Sequence, residues 1–93
     1  MSPSPSPVSA PSPALRVLFF GHLPQWTGAA EVVWPVPNPP TVAALLESLY
    51  EEWPSLRAAD PSLQVAVDLA YASRDAAVRE GAEVAVMPPV QGG

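Results

Sequence analysis

The sequence has 93 residues, a formal net charge of −5, no cysteine, and four arginines but no lysine. This length fits one small domain with a modest core, which argues against an enzyme with a large buried substrate cavity. The acidic charge argues against nucleic-acid binding, because phosphate contacts require clustered Lys and Arg, and it favours a basic protein partner. Without cysteine there is no disulfide and no thiolate nucleophile, and we predict no metal site.

Two further features concern the location of the protein and its N-terminal segment. No apolar run approaches the length of a membrane span, and the N-terminus lacks the basic and apolar regions of a secretory signal, so we expect a cytoplasmic protein that does not bind membranes. Residues 1–13 alternate Ser and Pro, with Met1 and Val8 as the sizeable apolar side chains. We expect a disordered tail there, with a Pro-rich docking ligand as the alternative, and a folded domain over residues 14–93.

Two strands are predicted in the first third of the domain. Residues 15–20 place Leu15, Val17 and Phe19 on one face, and Leu18 and Phe20 on the other. Residues 21–30 are predicted as a loop or a short helical turn. Residues 31–36 form a second strand, plausibly antiparallel to the first, in which Pro35 indicates a sheet edge or a bulge.

The clearest helix follows Thr41, a favourable N-cap residue, and ends at Pro54. Its apolar positions recur at helical spacing and form one continuous stripe of Val42, Leu45, Leu46, Leu49, Tyr50 and Trp53. The opposite side carries Glu47, Glu51 and Glu52, which we interpret as a solvated face rather than a binding site.

The last third of the domain is predicted to return to strands. Residues 55–62 are expected to be a loop with a helical turn, residues 63–68 a strand, residues 69–72 a second arm after a turn near Asp68, and residues 83–87 the final strand. Strands with one main helix on one face of the sheet indicate an α+β domain. The first and last strands can lie parallel as central neighbours, which aims the chain end outward from the sheet.

The C-terminal tail is the candidate functional site. The sequence finishes on Gly92-Gly93 shortly after Pro88-Pro89. Glycine has no Cβ, so the tip is thin enough to enter a narrow channel, while the two prolines fix φ and act as a stiff collar behind it. The carboxylate of Gly93 is the reactive group that this tail offers. A frayed end without function is the alternative.

Three stretches of the sequence resemble the small subunit of molybdopterin synthase, a sulfur carrier of the ubiquitin-like MoaD/ThiS family. They are residues 17–21, residues 41–45, and residues 80–93, in which Pro-Pro-Val-x-Gly-Gly is the most specific element. Thiazole-pathway carriers also end in Gly-Gly but are usually shorter and lack the Pro-Pro collar. The resemblance spans residues 15–93 and implies a β-grasp fold, which is a mixed sheet with one main helix packed on one face.

The resemblance also implies a function in molybdenum cofactor biosynthesis. An adenylyltransferase similar to ubiquitin-activating enzymes would adenylate the Gly93 carboxylate with ATP and magnesium, and sulfur from a persulfide donor would displace AMP to leave a thiocarboxylate. The tail would then enter the large catalytic subunit and donate sulfur to cyclic pyranopterin monophosphate, within a heterotetramer. The chain would not be an enzyme on its own and would hold no cofactor permanently.

Residue roles follow from the same resemblance. Gly93 would carry the sulfur, and Gly92 would let the tip thread into its channel. The expected partner interface comprises Phe20, Tyr71, Met87, Pro88, Pro89, Val90 and Gln91. The alternative is that the larger apolar members are ordinary core or scattered surface residues. Asp68 stands where the family usually has Asn.

Two other functions remain open from the sequence. The first is a sulfur carrier or ubiquitin-like modifier of another pathway, such as tRNA thiolation, thiamine or cysteine synthesis, or protein conjugation. A chain without lysine cannot form polymers through its own side chains, which weakly favours a carrier. The second is a β-grasp interaction module whose tail is inert.

Overall fold

The computed structural model describes residues 13–89, which contain one mixed five-stranded sheet in the order β2-β1-β5-β3-β4. β1 and β5 are parallel central neighbours, as predicted, and the other pairs are antiparallel. β2 lies at one edge, in agreement with the expectation from its proline. The strands are β1 (Ala14–Phe19), β2 (Glu31–Pro35), β3 (Gln64–Val67), β4 (Ala70–Tyr71) and β5 (Glu83–Met87).

The main helix, α2, covers Val42–Glu52 and begins as the sequence predicts. The Thr41 hydroxyl oxygen accepts a hydrogen bond from the Ala44 amide at 3.2 Å, which satisfies one of the free N–H groups of the first turn. A short helix α1, Pro24–Thr27, precedes it between β1 and β2.

The segment after α2 is more helical than expected. Trp53 leaves the helical conformation, with φ −129° and ψ 84°, and Pro54 starts the short helix α3, Pro54–Ala58. Proline is well suited to the first position of a helix, where its missing N–H has no partner to lose. A 3₁₀ turn, Asp60–Ser62, then leads into β3. Pro54 therefore both ends one helix and begins the next.

The hydrophobic core lies between α2 with α3 and one face of the sheet. The α2 stripe of the sequence prediction is buried from Val42 to Tyr50, and Trp53 is half-buried against the core. The sheet contributes Leu15, Val17 and Phe19 from the predicted inner face of β1, packed with the buried residues of β3 and β5. The α+β class, with one main helix on one face, is confirmed.

The long connection between β4 and β5 is held across the start of α2. The backbone amides of Val42 and Ala43 donate to the carbonyl oxygens of Ala76 and Arg74, at 2.9 and 2.7 Å. The Arg74 guanidinium also donates to the Asp60 carboxylate at 2.9 Å, and the Tyr50 hydroxyl donates to the same carboxylate. These contacts use the free N–H groups of the helix start and order a polar segment that has no regular structure of its own.

Within residues 13–89, no helix is long and apolar enough to cross a lipid bilayer.

Candidate functional site

The sheet has a second face that the described helices leave uncovered, and we call it the open face. Strand register aligns its central members, because Leu18 pairs with Ala85, Ala85 with Ala66, and Ala66 with Tyr71. All of its members are exposed or half-buried, whereas the alternating residues of the three central strands are buried on the opposite face, namely Leu15, Val17, Phe19, Val65, Val84 and Val86. The open face comprises Arg16 and Leu18 of β1 with Phe20 directly after it, Glu31 and Val33 of β2, Gln64 and Ala66 of β3, Tyr71 of β4, and Glu83, Ala85 and Met87 of β5.

The three larger apolar residues of the expected interface all lie on the open face. Phe20 and Tyr71 are 47% and 75% exposed, and Met87 is half-buried. The Phe20 amide donates to the Val86 carbonyl at 3.1 Å, which extends the parallel ladder and brings Phe20 beside Met87. None of the three belongs to the buried core. The structure thus brings these residues together, and their binding of a partner remains a prediction.

The chain leaves the sheet at the Phe20 and Met87 end of the open face. Pro88 and Pro89 follow β5 directly and are both half-buried, so the predicted collar rests on the domain. The Pro88 ring lies against Gly21, in the turn after β1. The remaining predicted site residues, Val90, Gln91, Gly92 and Gly93, lie outside the described residues.

The opposite end of the open face is polar. The Arg16 guanidinium binds the Glu31 carboxylate at 2.7 Å and lies 3.6 Å from that of Glu83. The hydrogen bond from Arg16 holds the pKa of Glu31 below its ordinary value. The open face therefore runs from an ion-paired end at the start of β1 and β5 to an apolar end where the chain leaves the sheet.

The surface charge is negative because nine acidic residues outnumber four arginines, and all four arginines are paired. Each of the four binds at least one carboxylate, and the pairs beyond Arg16 are Arg57–Glu47, Arg74–Asp60 and Arg79–Asp68. Among the described residues, the carboxylates that form no ion pair are Glu51, Glu52, Asp75 and Glu80. Such a surface attracts a basic partner through complementary potentials.

The turn between β3 and β4 precedes Tyr71 and is held by hydrogen bonds to the Asp68 carboxylate. Asp68 and Leu69 both have left-handed backbone conformations, with φ of 50° and 73°. Asp tolerates this region better than most residues, because its short polar side chain can form local hydrogen bonds. The Asp68 carboxylate accepts hydrogen bonds from the Glu83 amide at 3.0 Å and from the Arg79 guanidinium at 2.7 Å. The bond from Glu83 connects the turn to the start of β5.

These contacts predict a pH dependence of stability. The pKa of Asp68 lies below its ordinary value of 3.8, because the Glu83 amide and the Arg79 guanidinium favour the charged carboxylate. The carboxylate therefore stabilises the folded domain at neutral pH, and this contribution is lost as the pH falls through the lowered pKa. We expect Asp68→Asn to melt below the wild type at pH 7 and the difference to shrink below about pH 4.

Thermal unfolding across that pH range checks the prediction, with Glu80→Gln as the control. Glu80 is exposed and forms no ion pair among the described residues, and its replacement changes the net charge equally. Equal effects of the two substitutions at every pH would assign the result to net charge and contradict a specific role of Asp68.

Leu69 and the contact of Gly21 with Pro88 were not predicted from the sequence. Leu69 is 90% exposed at the tip of the β3–β4 turn, and its position there depends on a backbone conformation that side-chain alternation does not reveal. Gly21 directly follows a predicted strand, and this position indicates the end of the strand but not a contact with Pro88. Within residues 13–89, no cluster of His, Asp and Glu is suited to hold a metal ion, and the His22 ring packs edge-on against Trp26.

The fold and the sequence now define the class of the protein. A mixed sheet with parallel central strands, crossed on one face by one main helix, is the ubiquitin-like β-grasp arrangement. The ThiS family model matches residues 17–93, from β1 to the last glycine, and the chain belongs to the ThiS family.

Two curated relatives share one description, molybdopterin synthase sulfur carrier subunit. The protein from Caenorhabditis elegans is 32% identical over 83 residues, covering 86% of this chain and 98% of its own. The protein from Arabidopsis thaliana is 28% identical over 79 residues, covering 85% and 82%. The similarity therefore spans nearly the whole domain rather than the tail motif alone.

Solved structures of similar proteins extend the comparison to two archaea. SAMP1 of Haloferax volcanii matches with a TM-score of 0.73 and 26% identity, over 86% of this chain and 99% of its own. A Pyrococcus furiosus protein, provisionally described as molybdopterin converting factor, subunit 1, matches with a TM-score of 0.75 and 25% identity, over 85% and 100%. The fold is thus shared by a protein described as a molybdopterin converting factor subunit and by one described as a small archaeal modifier protein.

Proposed function

We propose that this chain is the sulfur-carrying subunit of molybdopterin synthase, with Gly93 as the residue that carries sulfur. The observation that carries the proposal is the position of the chain exit. β5 delivers Pro88 to the apolar end of the open face, beside Phe20 and Met87, so a partner that covers this face also receives the tail. The curated relatives support the choice of pathway.

The chemistry follows from the weakness of a carboxylate as an electrophile. A Gly93 carboxylate oxygen attacks the α-phosphorus of ATP on an activating enzyme, and magnesium pyrophosphate leaves. The terminal sulfur of a persulfide then attacks the acyl-adenylate, and AMP departs with that oxygen. Attack by a thiol on the resulting acyl disulfide releases the thiocarboxylate and forms a disulfide on the donor side. The chain supplies the acyl group, and its partners supply the catalysis.

The partner in this proposal is the large catalytic subunit, in a heterotetramer. The open face offers an apolar contact region around Phe20, Tyr71 and Met87, which suits the desolvated centre of an interface. The surface carries more carboxylates than arginines, and this negative charge suits a basic rim on the partner. In this arrangement the open face provides affinity, and the tail provides the reactive group.

A reconstitution with defined components tests the choice of pathway. The loaded chain is mixed with the large subunit and cyclic pyranopterin monophosphate, and sulfur in carrier and pterin is followed by mass spectrometry. We expect a pterin dithiolene to appear as the carrier returns to its carboxylate form, with two carriers consumed per dithiolene because each supplies one sulfur. A loaded carrier that keeps its sulfur would exclude this pathway and leave another sulfur acceptor.

A protein modifier is the second candidate, and the structural neighbour from Haloferax volcanii named small archaeal modifier protein 1 favours it. In that case the activated Gly93 carboxyl would form an amide with lysine on target proteins. Affinity purification of tagged chain from its own cells, followed by a search for Gly-Gly remnants on target lysines, separates the two functions. The carrier proposal predicts thiocarboxylate without conjugates.

A further inference from the structure

The turn after β1 is shaped around the proline collar. Gly21 has a left-handed φ of 61°, and a Cβ added to it would lie 2.6 Å from Cγ and 3.2 Å from Cδ of Pro88. Non-bonded carbon atoms essentially never approach to 2.6 Å, so any residue with a Cβ at position 21 would require the Pro88 ring or the turn to shift. The Phe20 amide fixes the turn by its bond to the Val86 carbonyl.

We propose that Gly21 is a positioning residue for the C-terminal tail: it seats the Pro88 ring and thereby sets the direction in which the chain leaves the domain. The inference rests on the proposed function, because direction matters only where the tail must enter a partner. Proline limits the backbone at 88 to a narrow range of φ, so a displaced ring transmits its displacement to the residues that follow. In this proposal Gly21 acts through its contact with Pro88.

The chain contains two matched controls for this contact. Gly28 and Gly81 also have left-handed conformations, each with a φ of 81°, but a Cβ at either would meet nothing within 4 Å. Alanine at any of the three positions is strained by the backbone conformation. At position 21 alone, alanine also pushes on the collar. A difference between Gly21→Ala and the other two variants therefore isolates the Pro88 contact from the backbone cost.

The first experiment compares the loading kinetics of these variants with a purified activating enzyme. We expect the kcat of adenylation to fall about 10-fold or more in Gly21→Ala, since displacement of a reacting group by about 1 Å can cost 100-fold. The KM for the carrier should change little, because the substitution alters the direction of the tail and leaves the rest of the exposed surface unchanged. Gly28→Ala and Gly81→Ala should load like the wild type. Equal kinetics for all three variants would overturn the proposal.

Rescue at position 88 shows whether the effect passes through the ring. Pro88→Ala removes Cγ and Cδ, the two atoms nearest to the added Cβ, and leaves a Cβ 3.9 Å away. We expect the double variant Gly21→Ala/Pro88→Ala to load as fast as Pro88→Ala alone. Such non-additive effects in a double-mutant cycle show that the two residues interact. Losses that simply multiply would show that Gly21 acts without Pro88 and contradict the proposal.

A readout without any enzyme keeps the inference separate from the proposed function. Because the chain has no cysteine, a spin label on Gln25→Cys, an exposed residue of α1, is unique. We expect Gly21→Ala to alter the paramagnetic broadening of the Gly92 and Gly93 amides, whereas Gly28→Ala and Gly81→Ala leave it unchanged. Unaltered broadening overturns the positioning role. If the wild type is never loaded but the broadening responds as expected, the proposed function fails and the positioning role stands.

Discussion

Deletion of Gly93 will reduce sulfur loading by about 100-fold or more and leave the melting temperature nearly unchanged. One residue spans about 3.5 Å of extended chain, and a misplacement of about 1 Å can already cost 100-fold in rate. Among residues 13–89, the buried core extends from Leu15 to Val86, so we expect the fold not to depend on the last residue. Mass spectrometry of the loading reaction and thermal unfolding measure the two effects on the same sample.

The control for this deletion is Glu80→Gln, an exposed residue outside the tail and the expected interface, which leaves the length of the tail unchanged. We expect this variant to load within about threefold of the wild type, because the position of the carboxylate is preserved and catalysis depends on that position. Normal loading of the Gly93 deletion would show that the last residue is not the reactive one. A large loss of melting temperature would instead show that the end of the chain is part of the packed domain.

Met87→Asp will weaken binding of the large subunit by about 30-fold or more and leave the domain folded. Met87 is half-buried on the open face beside Phe20, and a charge at the centre of an apolar interface loses its hydration without gaining a partner. Removing one interface hot spot costs about 2 kcal/mol or more, which corresponds to this change in affinity. Titration calorimetry with the purified large subunit measures the affinity, and circular dichroism monitors the fold.

Val86→Asp is the matched comparison, because the two residues are adjacent in β5 and lie on opposite faces. Val86 is fully buried, and a carboxylate there would lose its solvation without a partner, so we expect this variant to be unfolded at neutral pH. An unfolded Met87→Asp would place Met87 within the essential core. A folded Met87→Asp with undiminished affinity would move the interface away from the open face.

Local sequence patterns predicted most of the fold because the side-chain periods are strong. The alternation of Leu15, Val17 and Phe19 identified the inner face of β1, and the apolar stripe after Thr41 identified α2. Pro54 was predicted to end α2 but also starts α3. The prediction considered that Pro54 cannot continue the preceding helix. It did not consider that proline is also favourable in the first turn of a following helix.

The candidate site depended on information of a different kind. The resemblance to sulfur carriers selected Phe20, Tyr71 and Met87, and strand register then showed that they share one face. The contact between Gly21 and Pro88 joins residues far apart in sequence. No local period encodes that contact, because it depends on the parallel pairing of β1 and β5. Leu69 was missed because its exposure follows from the left-handed turn that contains it.

Gly93 is proposed to accept sulfur, and a measurement of the intact mass of the protein shows whether it does. The wild-type chain is incubated with an activating enzyme, ATP, magnesium and a persulfide donor. We expect the mass to rise by the difference between one sulfur and one oxygen atom. The increase should be located in the C-terminal peptide and absent when ATP is omitted. An unchanged mass, with an activating enzyme that loads another carrier and forms a complex with this chain, would contradict the proposal and leave an interaction module with an inert tail.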